Sequence, residues 1–383
     1  MNRTINTGLL CVILYLLIAA AQLDAAPVPI PKPPMINAKS YILLDHNTGN
    51  IIAEENADER NDPASITKLM TAYIVYKAMA EGRMSPDEEV LISEKAWRAI
   101  GSRMFVEVDK LVKVNDLLQG LIVQSGNDAS IALAEHIAGS EAAFVDLMNH
   151  EASRLGLSNS HFMNVTGLTD EQHFMTARDI AILSSAIIRD FPEEYKRYSQ
   201  KEYTYNGITQ QNRNKLLWRD PSVDGLKTGH TDAAKYCLAS SAHRDDMRLI
   251  SVVMGAPSED ARATYSQSLL NYGFRFFESY ELYSAGQELL KKRIWYGDKK
   301  EISLGVGGDI FITIPRGQYN NLQPFLEVKS SLEAPVKKGQ AVGKVVITLD
   351  DMPVTEIELV ALESVGEGSL LDKIIDYIMS YFE

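Results

Sequence analysis

Hydrophobic positions recur at two spacings along this chain, and the change between them divides it. Ser40-Tyr41-Ile42-Leu43-Leu44-Asp45, a turn at His46-Asn47-Thr48-Gly49 and Asn50-Ile51-Ile52-Ala53-Glu54 read as a β-hairpin. The apolar run from Ser65 to about Ala80, stopped by Gly82, reads as a helix. Asn115 to Val123 and Ala129 to Ala138 repeat the helical pattern, and further helices are expected over about 141–155 and 176–189. Gln124-Ser125-Gly126-Asn127-Asp128 sits between two apolar helices, an unusual place for polar side chains and a glycine. Residues 83–114 show no clear period and read equally as scaffold or as a flap.

Beyond Pro221 strands take over. Val223 to His230, Lys235 to Ala242 and Arg248 to Met254, with a turn at Arg244-Asp245-Asp246, predict three consecutive antiparallel strands. A helix from about Glu259 to Phe277 closes the first unit. Residues 285–366 are strand and turn, as in Ile310-Phe311-Ile312-Thr313-Ile314-Pro315, and read as a small separate β domain. The expected class is therefore α/β (α+β), with a first unit over 35–280. Residues 367–383 follow as an amphipathic helix. Leu370, Leu371, Ile374, Ile375, Ile378, Tyr381 and Phe382 fall on one side, and Asp372, Lys373, Asp376, Ser380 and Glu383 on the other. Such a helix lies in a membrane interface or packs on its own domain or a second subunit; apolar bulk favours the membrane, an acidic polar face weighs against it.

The start of the chain is a different kind of segment. Arg3 followed by the apolar run Leu9 to Ala21, with Ala25 and Ala26 at a cut site, makes 1–25 a secretory signal peptide. The run is short of the roughly 20 residues that span a bilayer. Residues 26–34 are a proline-rich tether. Cys11 leaves with the signal, so Cys237 stands alone, most simply as a buried small hydrophobe. A net charge of −13 without a basic block argues against nucleic acid as a partner.

Ser65-Ile66-Thr67-Lys68 puts a hydroxyl and an amine on one helix face. A serine needs a base to become a nucleophile. Burial among Leu69, Met70, Ala72, Tyr73 and Ile74, and the positive end of the helix dipole, both push Lys68 toward the neutral base. Alone the spacing is weak, since a capping serine beside a solvated lysine looks the same. Ser125-Gly126-Asn127 and Lys227-Thr228-Gly229 follow in order, one between helices and one on a strand. This serine–lysine trio is a signature of β-lactamases and penicillin-binding proteins.

The chain resembles the low-molecular-mass penicillin-binding proteins, in particular the serine-type D-alanyl-D-alanine carboxypeptidases. The likeness runs through Pro63 to Thr71, Gln124 to Ala129, Asn212-Arg213-Asn214-Lys215-Leu216-Leu217-Trp218, Val223 to Thr231, Gly273 to Glu278 and Leu332 to Gly339. The resemblance implies that Ser65 attacks the penultimate D-alanine carbonyl of a peptidoglycan stem peptide, with Lys68 as base. It implies that Ser125 and Lys227 relay a proton to the leaving amine, that Asn127 holds the substrate amide, and that backbone N–H groups of Ser65 and His230 form the oxyanion hole. Thr228, Gly229, Arg213 and Arg262 are expected around the substrate carboxylate, although either arginine reads equally as a structural ion pair. No cofactor is implied. β-Lactams are expected as covalent inhibitors, and the location as the periplasmic side of the inner membrane.

Rival readings separate by sequence in part. A class A β-lactamase has an aspartate where Gly126 stands and an E-x-x-L-N glutamate that is missing here. The seven histidines show no H-x-x-x-H or C-x-x-C spacing for a metallopeptidase, and no G-x-S-x-G elbow occurs. A catalytically dead wall-binding protein has no need of the paired lysines. A D,D-endopeptidase shares every motif and stays open, as does the oligomeric state.

Overall fold

A computed structural model describes residues 30–379. The expected signal peptide, the first residues of the tether and the last four residues of the chain lie outside them.

The first unit is built on a five-stranded antiparallel sheet. Its strands are β1 (Ser40–Asp45), β2 (Ile51–Glu55) and, after two small hairpins, β7 (Val223–Thr231), β8 (Lys235–Arg244) and β9 (Met247–Ala256). The hairpins are β3 (Glu89–Leu91) with β4 (Leu111–Lys113), and β5 (Glu202–Tyr205) with β6 (Ile208–Gln211). Spatial order is β2-β1-β9-β8-β7, which leaves β7 at an edge. Both sheet faces are covered, and side chains alternate between them with the strand period. Ile42, Ile250 and Val252 pack with the helical region, whereas Leu43, Leu249 and Val253 pack with Leu269, Leu270 and Phe274 of the Glu259–Phe276 helix. The Lys68–Ala80 helix is apolar almost all round, as a helix enclosed by its neighbours must be.

One expectation at its start changes. Ser65 lies in a separate 3-10 turn, Ala64–Thr67, and the α-helix begins at Lys68. The cause is local: Ala64 has φ 47°, its N–H donates to Asp62 Oδ1 at 2.8 Å, and Ile66 N–H donates back to Pro63 O at 3.1 Å. A 3-10 turn eclipses residues i and i+3, so Ser65 and Lys68 stack more directly than on an α-helix.

The β-rich unit begins at Phe277, before the expected residue 285, because the chain leaves its helix straight into β10 (Phe277–Tyr283). β11 (Glu288–Arg293), β12 (Glu301–Gly305), β13 (Ile310–Pro315), β14 (Leu322–Val328), β15 (Ala341–Leu349) and β16 (Met352–Ala361) complete it. β10 pairs with β13, and the others form a sheet in the order β11-β12-β16-β15-β14 around Ile302, Leu304, Val345, Ile347 and Leu359. Buried Asp45 joins the two units, accepting hydrogen bonds from Ser279 and, at 2.8 Å, from Thr313.

The C-terminal helix forms over Leu370–Met379, with one correction to its faces. Asp376, expected toward solvent, is fully buried against the β unit and accepts from Tyr296 N–H at 2.8 Å, Arg293 at 3.3 Å and Lys300 at 3.3 Å. The reason is charge: two cations and an N–H offer that carboxylate a better site than water. Leu370, Leu371, Ile374, Ile375 and Ile378 therefore face outward. Among the described residues no helix is long and apolar enough to cross a membrane.

Candidate active site

Three elements meet at one cleft of about 310 Å³: the Ser65 turn, the Ser125 loop and the edge strand β7. Ser65, Ser125, Arg213, Thr228, Gly229, His230 and Arg262 line it, with Ser102, Tyr236 and Glu259. Lys68, Asn127 and Lys227 are buried around it. Gly229 makes the junction possible. A Cβ there would stand 2.6 Å from Pro63 O, so only glycine lets β7 lie flat against the serine turn.

Lys68 Nζ donates to Asn127 Oδ1 at 2.7 Å and to the Thr166 carbonyl at 2.6 Å, and stands 3.1 Å from Ser65 Oγ, where the lone pair of a neutral amine meets the hydroxyl. The Lys68 side chain is fully buried, and burial first and the Arg213 charge second lower it from 10.5 to about 7, against an opposing pull from Asp128. Lys227 Nζ donates to Ser125 Oγ at 2.8 Å and to Thr228 O at 3.3 Å. It too is pushed well below 10.5, by burial and then by the cations Lys68, Arg213 and Arg262. Ser125 holds its hydroxyl there from a left-handed backbone, φ 64°. Two serine–lysine pairs thus stand side by side, each lysine lowered by burial and by neighbouring cations.

The other expected residues fall into distinct positions. Asn127 is buried, and its amide links Lys68 to the 100–106 wall. Its Oδ1 takes Lys68, and its Nδ2 donates to Ile100 O at 2.6 Å. Arg213 is exposed at the cleft wall, and no carboxylate of the described residues pairs with it. Arg262 is buried and serves the frame, donating to Gly229 O at 3.1 Å and to Arg213 O and Glu259 at 3.5 Å each. The His230 ring is exposed and lies 4.3 Å from the Tyr236 ring, leaving its backbone on β7. Cys237 is buried on β8, paired with Gly229 of β7, with burial raising its thiol to about 11.

Several residues that hold the site have no motif to announce them. Asp128 accepts from the backbone N–H groups of Met104, Phe105 and Val106 at 3.0, 2.8 and 3.3 Å. Asn127 N–H donates to Ser102 O at 2.7 Å. Residues 100–106, within the segment that read equally as scaffold or flap, are thereby fastened as a wall of the cleft. Thr166 is aimed at Lys68 by Asn164, whose Oδ1 accepts from Thr166 and Gly167 N–H at 3.1 and 2.7 Å. A Cβ at Gly167 would overlap Ala64 O at 1.7 Å, so this loop, too, closes on the serine turn only through glycine. His173 supports the same turn. Burial lowers it to about 4, so the neutral ring accepts Met163 N–H on Nδ1 and donates from Nε2 to Thr67 Oγ1 at 2.8 Å.

A serine, two depressed lysines, a second serine and a free arginine in one cleft form the equipment for acyl transfer to a hydroxyl. The likeness to known proteins agrees. A family model described as D-alanyl-D-alanine carboxypeptidase matches residues 28–258, and one described as the penicillin-binding protein 5 C-terminal domain matches residues 277–367. The D-alanyl-D-alanine carboxypeptidase DacA of Escherichia coli strain K12 is 44% identical over 393 residues, covering 100% of this chain and 96% of that protein. The crystal structure of penicillin-binding protein 5 from Haemophilus influenzae superimposes with a TM-score of 0.86 at 45% identity, over 88% of this chain and 100% of that one. Penicillin-binding protein 6B from Escherichia coli gives 0.74 at 38% identity, over 86% of this chain and 97% of its own. The chain belongs to the D-alanyl-D-alanine carboxypeptidases, a family of serine peptidases, and is itself an enzyme of that activity.

Proposed function

We propose that Ser65 is the nucleophile of this carboxypeptidase and neutral Lys68 its base, acting on peptidoglycan stem peptides that end in D-alanyl-D-alanine. The observation that carries the reading is the 3.1 Å contact from a fully buried lysine, lowered to about 7, to the serine hydroxyl. Lys68 takes the Ser65 proton as Oγ bonds to the penultimate D-alanine carbonyl carbon. The oxyanion is met by the N–H groups of Ser65 and His230. The C–N bond then breaks, and the departing amine receives its proton through Ser125, which Lys227 holds at 2.8 Å. Water cleaves the resulting ester and restores the hydroxyl.

Substrate placement follows from the same wall. β7 is an edge strand, so an extended peptide can add to it as a further strand through its main chain. Arg213, unpaired at the cleft, and Thr228 then face the terminal carboxylate. Asn127 acts chiefly by holding Lys68, and Arg262 by holding β7 to the Arg213 segment. β-Lactams enter the same path and remain as a stable ester, which the penicillin-binding relatives support.

The helix Leu370–Met379 presents its apolar side outward while Asp376 pins it to the β unit. That arrangement supports a peripheral seat on the periplasmic side of the inner membrane, reached through the signal peptide. Two experiments test the proposal. The purified protein should release D-alanine from a peptide ending in Lys-D-Ala-D-Ala, and Ser65→Ala should not; equal release by both would sink the assignment. Deleting residues 369–383 should move the protein from the membrane to the soluble periplasmic fraction, and unchanged fractionation would remove the anchor.

A further inference from the structure

The two N–H groups assigned to the oxyanion belong to different elements, Ser65 to the serine turn and His230 to β7. Among the described residues no main-chain hydrogen bond joins that turn to β7. An oxyanion is stabilised only where both donors stand about 2.7–3.1 Å from it at once. The contact of Gly229 with Pro63 O sets how close the two elements lie. Close packing alone does not fix how far one slides along the other.

Asp62 is placed to fix it. Its Oδ1 accepts Ala64 N–H at 2.8 Å, one residue before Ser65. Its Oδ2 accepts the Thr231 hydroxyl at 3.3 Å, one residue after His230. The same oxygen accepts the Thr169 hydroxyl at 2.6 Å, just beyond the Thr166 carbonyl that holds Lys68 and the Gly167 contact with Ala64 O. A carboxylate only accepts, so both threonines are committed as donors, and bonds to a charged acceptor are the stronger kind. Thr231 is itself held, since its Oγ1 accepts Ala234 N–H at 3.0 Å. The aspartate has a firm base as well. Asn61 exchanges main-chain hydrogen bonds with Met175 at 2.9 and 3.0 Å, and the ring of Pro63 restricts the backbone on the other side. Asp62 does not line the cleft, so it works through its neighbours and not on substrate.

We propose that Asp62 is a positioning residue of acyl transfer: one carboxylate sets the gap between the two oxyanion donors by fastening the residue beside each. The proposal rests on the oxyanion hole described above. Removing the carboxylate leaves Ser65, Lys68 and both N–H groups present but frees β7 to shift against the serine turn. Asparagine keeps an acceptor for Ala64 N–H, and its amide donates to a threonine hydroxyl oxygen, so it preserves the tie.

The test is infrared difference spectroscopy of the full protein acylated with benzylpenicillin isotope-labelled at the β-lactam carbonyl, alongside rapid-mixing rates of acylation. Donors in the hole lower the stretching frequency of the ester carbonyl, a signature that a loss of general stability does not move. In the wild type the band should lie below that of the same adduct unfolded in urea. Asp62→Ala should raise the band toward the unfolded value and slow acylation by about tenfold to a hundredfold. Asp62→Asn should keep both near the wild type. Thr231→Val cuts the same tie from β7 without touching the serine turn and should also raise the band; it decides the matter if Asp62→Ala does not fold. A band unmoved in either variant, even with slower acylation, overturns the proposal and leaves the hole standing. A loss in Asp62→Asn equal to that in Asp62→Ala overturns it too. A wild-type band at the unfolded value removes the hole itself, and no adduct at all removes the serine–lysine reading; the proposal falls with either.

Discussion

Replacing Lys68 by arginine tests the base directly. Lowering the Lys68 ammonium from 10.5 to about 7 corresponds to roughly 5 kcal/mol against the charged form. At pH 7 about half of the molecules then present a neutral amine to Ser65, where an unperturbed lysine would present about one in three thousand. Arginine keeps its proton at any working pH and cannot act as the base. The expected loss in acylation is therefore the general-base contribution, about 10²–10⁴-fold. The assay is the rate of acylation by a fluorescent penicillin, followed by rapid mixing from about pH 5 to about pH 9, the range that brackets the Lys68 titration. The wild type should speed up through pH 7 and level off above it. Lys68→Arg, shown folded by its thermal transition, should be slow and flat. A wild-type rate independent of pH, or a variant within tenfold of it, would refute the reasoning.

Other consequences are as direct. Asp128→Ala removes an acceptor shared by several backbone N–H groups. It should destabilise the protein by about 3 kcal/mol in urea unfolding, and expose residues 100–106 to protease. Gly229→Val forces a side chain to within 2.6 Å of Pro63 O, so penicillin labelling should drop by at least about tenfold with an unchanged circular dichroism spectrum. The buried lysines also set a pH dependence of stability. Because Lys68 is lowered in the folded state, the unfolded chain binds more protons between about 7 and 10.5, and stability rises with pH across that window. The penalty is full below about 7 and fades toward 10.5. Lys68→Met should flatten this rise in urea unfolding measured at several pH values.

Much of the fold can be read from residues alone. Ile42 and Leu43 alternate between the two sheet faces as their period requires, and the enclosed helix after Ser65 is apolar on almost every side. The motif side chains Ser65, Lys68, Ser125 and Lys227 converge because each spacing encodes a local geometry. Less legible are features built from backbone atoms. The Thr166 carbonyl at Lys68 carries no side-chain signature, and neither do the N–H groups that Asp128 gathers from 104–106. Asp62, which turns the helix start into a 3-10 turn, looks in sequence like any turn aspartate. Asp376 misled for a related reason: a helical wheel places it by angle, whereas Tyr296, Arg293 and Lys300 come from the β unit. Residues 83–114 have no single period because they combine the short β3–β4 hairpin, one helical turn at Glu94–Trp97 and, over 100–106, irregular backbone fastened by Asn127 and Asp128.

The most direct test of the account is the mass of the protein after incubation with benzylpenicillin, followed by peptide mapping. One stable adduct is expected, carried on the peptide containing Ser65 and missing in Ser65→Ala. No adduct, an adduct on another residue, or an adduct that survives in Ser65→Ala would contradict it.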